Sequence, residues 1–99
     1  MTKSEMAAAL NERGAWLPNK RVKLDFGDQG VILLDGVGNS VTEEDAAADT
    51  TIKVAWEDWE AMRDGKLDGM TAFMQGKLKV EGDMSNAMQL QGVLAKLRG

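Results

Sequence analysis

Phe73-Met74-Gln75-Gly76-Lys77-Leu78-Lys79-Val80-Glu81-Gly82-Asp83-Met84 changes its periodicity twice in a short stretch, and those changes set the fold. Asp68 and Gly76 bracket a short helix over residues 69–75: the carboxylate suits an N-cap, and glycine suits the left-handed position after a helix C-terminus. Residues 77–81 alternate strictly, so Leu78 and Val80 face a core while Lys77 and Lys79 face solvent. Gly82 turns the chain. Asp83 then caps a final helix, which the apolar spacing carries from Met84 to Leu97.

Upstream, residues 50–56 alternate again, with Ile52, Val54 and Trp56 on one face. From Glu57 the period becomes helical. Trp59, Ala61 and Met62 converge, and Asp64 and Gly65 end the helix. Residues 21–26 put Val22, Leu24 and Phe26 on one side of a half-buried strand. After a turn at 27–30, the unbroken run Val31-Ile32-Leu33-Leu34 suits a strand buried on both faces, inside the sheet. Ser40-Val41-Thr42 predicts a short third strand beyond a glycine-rich turn. Residues 3–12 predict a helix buried through Met6, Ala7 and Leu10, with Gly14 as its stop and Pro18 in the connection. The acidic, alanine-rich segment 43–49 is expected to be an exposed loop. The order is helix, a meander of strands, two helices, strand, helix. This is an α+β pattern, and no repeat or linker divides residues 1–99 into more than one domain.

Composition narrows the chemistry. The chain has 99 residues, no cysteine, no histidine and a formal net charge of −4. Without cysteine there are no disulfides or thiolates, and without histidine there is neither the usual general base nor the commonest metal ligand. No catalytic residue, cofactor or metal is therefore expected. An acidic chain lacks the basic stripe that nucleic acid would call for. No apolar run approaches the roughly 20 residues of a membrane span, and the N-terminus has no secretory h-region. The expected compartment is the cytoplasm.

The final helix carries the functional signal. Met84, Ala87, Met88, Leu90, Val93, Leu94 and Leu97 cover an arc of roughly 220°, against the roughly 100° that packing on a sheet requires. Only Ser85, Asn86, Gln89, Gly92 and Lys96 form the polar side. The helix should have a second apolar neighbour besides the sheet. That neighbour is another helix, a partner chain or a lipid cavity, and periodicity does not choose. Gln91 falls inside the arc and needs a hydrogen bond, from backbone, water or a ligand headgroup. Methionines cluster on the three C-terminal helices as Met62, Met70, Met74, Met84 and Met88, where flexible thioethers suit either a core or a surface that repacks around apolar ligands. Trp59 reads as core or cavity wall, and Trp56 as rim.

The segment from Phe73 to Met84, continuing to Ala87-Met88-Gln89-Leu90-Gln91, resembles the C-terminal signature of the sterol carrier protein type-2 domain family. That signature runs Phe-x-x-Gly-Lys-Leu-Lys-[Ile/Val]-x-Gly-[Asp/Asn], followed by a helix with Ala-Met-x-Leu. Thr51-Ile52-Lys53-Val54, Trp59-Glu60-Ala61-Met62 and Gly65-Lys66 resemble the family's upstream strand, helix and Gly-Lys segment. The resemblance spans residues 21–97 and is densest over 68–94. It implies a five-stranded, mostly antiparallel sheet with helices on one face and an apolar tunnel between them. Members bind fatty acids, fatty acyl-CoA, phospholipids or sterols without a catalytic group. On that footing the candidate wall is Trp59, Met62, Met70, Phe73, Met74, Met84, Met88, Gln91 and Leu94. The expected partner is an apolar small-molecule lipid, with transient membrane-surface contact and a weak homodimer left open. The rival reading is a protein-interaction or accessory module that uses the same helix face to assist a lipid-modifying enzyme. Two features depart from the family. Only about twenty residues precede the first strand, so a smaller or more open cavity is expected. The ending Leu97-Arg98-Gly99 is not a peroxisomal Ser-Lys-Leu address.

Other patterns read as ordinary structure. Asp35-x-x-x-Asn39 lacks the ligand series of a calcium loop, and Gly36-Val37-Gly38 does not lead into a helix as a phosphate loop would. Glu43, Glu44, Asp45 and Asp49 read as a solvated acidic run. Lys77 and Lys79 serve solubility, or meet an anionic group at a cavity mouth.

Overall fold

A computed structural model of the chain describes residues 2–89 and 92. Gln91 and Leu94, and the expected run of the last helix to Leu97, lie outside the described residues. Helix α1 (Lys3–Glu12) opens on a capping box: the Thr2 hydroxyl accepts from the Glu5 N–H, and the Glu5 carboxylate accepts from the Thr2 N–H. The strands are β1 (Arg21–Asp25), β2 (Val31–Asp35), β3 (Ser40–Thr42), β4 (Thr50–Val54) and β5 (Leu78–Gly82). Helices α2 (Trp56–Arg63) and α3 (Gly69–Met74) lie between β4 and β5, and residues 84–89 are helical.

The five strands form one sheet in the order β3-β2-β1-β4-β5. Only β1–β3 are a meander. β4 does not continue it but runs parallel to β1, with Leu24 opposite Ile52, and β5 closes the other edge antiparallel to β4. The acidic segment allows this. Getting from β3 to β4 means passing three strand spacings of about 4.8 Å, and seven extended residues reach about 23 Å. The segment is held to the sheet's outer face by Asp45, which pairs with Lys23 at 2.7 Å, and by Asp49, whose carboxylate accepts from the Arg21 N–H at 2.9 Å. Leu33, register partner of Lys23, is buried on that side, which is why β2 reads as apolar on both faces.

Val22, Leu24, Ile32, Leu34, Ile52, Val54 and Leu78 form the inner face. They pack with Met6 and Leu10 of α1, Trp59 and Met62 of α2, and Ala72 of α3 in one core. The strand periodicity predicted through Trp56 ends at Val54. Ala55 becomes the N-cap of α2, and Glu57 and Asp58 in its first turn suit the positive end of the helix dipole. Asn86, expected on the polar side of the last helix, is buried. Its amide donates to the Thr50 hydroxyl at 3.0 Å, and that hydroxyl donates to the Asp83 carbonyl at 2.8 Å. This polar chain fastens the helix start to β4. Among the described residues no helix is long and apolar enough to cross a membrane.

Candidate functional site

The inner face is covered unevenly. At the β3 edge, α1 packs directly on the strand, and Asn11 accepts the edge N–H of Val41 at 2.9 Å. At the β5 edge the helices stand off, leaving a partly open cavity of about 210 Å³. Its floor is Ile52 of β4 with Leu78 and Val80 of β5, where Ile52 and Val80 are register partners. One wall is Met62 of α2 with Gly69, Met70 and Phe73 of α3, and the facing wall is Met84, Ala87 and Met88.

Local sequence sets each wall. Asp68 caps α3 by accepting from the Thr71 N–H at 3.1 Å, and Gly76 follows at φ 76°, so α3 spans less than two turns. The spacing of Met70 and Phe73 then puts both on the cavity side. Asp83 caps the opposite wall by accepting from the Ser85 hydroxyl at 2.7 Å and its N–H at 2.9 Å, and these bonds hold the Asp83 carboxyl below its ordinary range. Among the described residues no ionisable side chain lines the cavity. It offers area and shape to an apolar body.

Of the described candidate wall residues, the structure brings Met62, Met70, Phe73, Met84 and Met88 together around the cavity. Trp59 and Met74 are not part of the lining. Trp59 is 0% exposed in the core, tilted against Phe26, and its indole N–H has no hydrogen-bond partner among the described residues. Met74 is 80% exposed. Trp56, read as rim, is half-buried and stands edge-on to Phe26 at 5.0 Å, away from the lining. Ala87 was legible as part of the last helix's apolar arc, Ile52, Leu78 and Val80 only as packing positions, and nothing marked Gly69. The inward alternation of β4 and β5 is the signal that could have assigned the floor.

Lys77 and Lys79 lie on the far side of β5 from the cavity, beside a shallow groove that they share with Lys53 and Asp25. Asp35 accepts from the Val37 and Gly38 N–H groups, as a hairpin turn requires, and these bonds with Arg21 hold its carboxyl below the ordinary value. Glu43 pairs with Lys3, and Asp45 pairs with Lys23.

Residues 8–95 match the model of the SCP-2 sterol transfer family. The chain is 44% identical over 59 residues to sterol carrier protein 2 of Bos taurus; the match covers 60% of this chain and only 11% of that much longer protein. The crystal structure of sterol carrier protein 2 like 2 from Aedes aegypti superposes with a TM-score of 0.71 at 26% identity, covering 92% of this chain and 94% of that one. The solution structure of Aedes aegypti sterol carrier protein-2 in complex with the C16 fatty acid palmitate has the same fold, with a TM-score of 0.76 at 20% identity and 93% coverage of both chains. The chain belongs to the SCP-2 sterol transfer family.

Proposed function

We propose that this chain binds a long-chain lipid non-covalently in the cavity between β4–β5, α3 and the helix at 84–89, acting as a cytoplasmic carrier or presenting module rather than an enzyme. The observation that carries the reading is a cavity whose described lining is apolar throughout, in a member of the SCP-2 sterol transfer family. Met62, Met70, Phe73, Met84 and Met88 grip the ligand, and their flexible side chains accept more than one chain shape. A volume of about 210 Å³ exceeds the roughly 150 Å³ engineered cavity that takes up benzene. It holds about eight carbons by proportion, worth about 6 kcal/mol at 0.8 kcal/mol per methylene before ordering costs. A longer chain continues along the exposed methionines of the rim. The palmitate-bound fold neighbour makes fatty acids the first probe to try.

Displacement of a fluorescent fatty acid tests the reading. Affinity should rise about fourfold per methylene through short chain lengths and then flatten. Native mass spectrometry of gently purified protein should show co-purified lipid. Finding neither bound lipid nor micromolar displacement would refute the proposal. Concentration-dependent sedimentation in its place would favour the protein-interaction reading.

A further inference from the structure

We infer that two copies of this chain join through the free edge of β5, antiparallel about a two-fold axis at Val80, so that the sheet runs on from one copy into the other. The two edges of the sheet differ. At the β3 edge, the Asn11 side chain takes up the N–H of Val41. β5 pairs with β4 on one side, and among the described residues no strand, helix or side chain bonds to its backbone on the other. An edge strand of five residues with unpaired N–H and C=O groups is a template for another strand.

Charged side chains usually keep such an edge from pairing, but here their order selects the partner. Lys79 and Glu81 both stand on the outer face: Lys79 lies directly across from Lys53, and Glu81 pairs with Lys53 at 3.4 Å. Lys79 thus faces a like charge within its own copy and has no acidic partner among the described residues. With Val80 opposite Val80, an antiparallel pair of β5 strands sets Lys79 of each copy against Glu81 of the other. Opposite charges directly across two strands stabilise the pairing, and like charges oppose it. Sliding one strand by two residues brings Lys79 opposite Lys79, or Glu81 opposite Glu81. Sliding it by one sets the charged row against the apolar one. Parallel pairing in register puts every charge against itself. The favoured contact is made by the same strand on both sides, as a closed dimer requires. It also sets the Val80 side chains of the two cavity floors side by side. A contact built on one short edge buries little area, so the dimer is weak.

Sedimentation of the full chain over a concentration series up to about 1 mM tests the assignment. The wild type should shift toward dimer, less so as salt is raised. Glu81→Lys and Lys79→Glu, made singly, each turn two attractive pairs into two repulsive ones and should weaken dimerisation at least about tenfold. Mixing the two variants in equal amounts should restore it, because one copy then carries two lysines on this row and the other two glutamates. The double exchange within one chain should restore it as well. Urea midpoints near that of the wild type show that the variants fold. Val80→Cys, in a chain without cysteine, should cross-link to itself under mild oxidation, since residues opposed across antiparallel strands have Cα atoms about 4.5–5.5 Å apart. Thr51→Cys, one strand further in, should not. A wild-type chain that stays monomeric throughout would overturn the inference. So would a dimer indifferent to both single exchanges, or a mixture that fails to re-form one. Neither Lys79 nor Glu81 lines the cavity, so fatty-acid displacement by the same variants tests the lipid site separately.

Discussion

Replacing Thr50 with valine keeps the shape of the side chain and removes one oxygen, which makes it a clean probe of how the last helix is held. Thr50 and Asn86 are each 1% exposed, and the Thr50 hydroxyl both accepts from the Asn86 amide and donates to the Asp83 carbonyl. In Thr50→Val both bonds go. The Asn86 amide is left buried without its partner, a desolvation cost of about 1–3 kcal/mol, and the lost bond to Asp83 adds about 1 kcal/mol. Destabilisation of about 2–4 kcal/mol is expected, a drop in Tm of at least about 8 °C for a domain of this size. Urea unfolding followed by tryptophan fluorescence measures it. Asn86→Leu in the Thr50→Val background should restore part of the loss, because two apolar groups satisfy each other where one orphaned amide cannot. Fatty-acid affinity should fall with the single change, since Met84, Ala87 and Met88 are fixed by this attachment. A cost below about 0.5 kcal/mol, or strict additivity of the two substitutions, would refute the claim that the pair secures the wall.

Gly82 sits at φ 94°, and a Cβ there would overlap the Asp49 carbonyl, so Gly82→Ala should cost about 2 kcal/mol or more by urea titration. Ala87→Phe places a ring in the cavity; it should cut fatty-acid affinity about tenfold or more while leaving the urea midpoint near that of the wild type, as seen by probe displacement and denaturation on the same samples. Glu5, Asp35 and Asp83 all ionise below their ordinary values, chiefly through the Thr2 N–H, the Gly38 N–H and the Ser85 hydroxyl respectively. Because each folded pKa lies below the unfolded one, their stabilisation is complete above the unfolded value and is lost as pH falls through the folded value; the urea midpoint should hold from neutral pH to about pH 5 and decline below it.

The strands were legible because each carries its own local pattern. The alternation of β1, β4 and β5 and the doubly buried run of β2 all name the face they bury. Capping residues were equally plain, since Asp68, Gly76 and Asp83 act within four residues of themselves. Strand order was not legible. The parallel placement of β4 beside β1 depends on where an acidic loop crosses the sheet, and the Lys23–Asp45 pair that marks the crossing joins residues far apart in the chain. The site divides in the same way. Periodicity identified Met62, Met70, Phe73, Met84 and Met88 as apolar helix positions, and all five meet at the cavity. It could not tell Trp59, which faces the core, from those that face the opening, nor see that Met74 falls just outside it. Asn86 was misplaced for a related reason: a helical wheel grades polarity, and a buried amide with its partner on a distant strand looks like a solvated one.

The position of the cavity follows from helix length. α1 has ten residues and runs about 15 Å, close to the roughly 17 Å of a five-residue strand, so it covers the sheet where it packs. α3 has six residues and runs about 9 Å, only half of β5, because Asp68 starts it and Gly76 stops it within two turns. The inner face of Val80 therefore extends past the end of any cover α3 can provide. The helix at 84–89 returns over that gap, fixed by the Thr50–Asn86 bond and by Ala87 packed against the core. A bond of fixed length at one end and a short helix on the other side hold the walls apart without requiring a ligand to do so. The residues that decide this are Asp68, the N-cap of α3, and Gly76 and Asp83 within the segment Phe73–Met84. The same glycine and aspartate that make the fold readable thus also leave its β5 edge open.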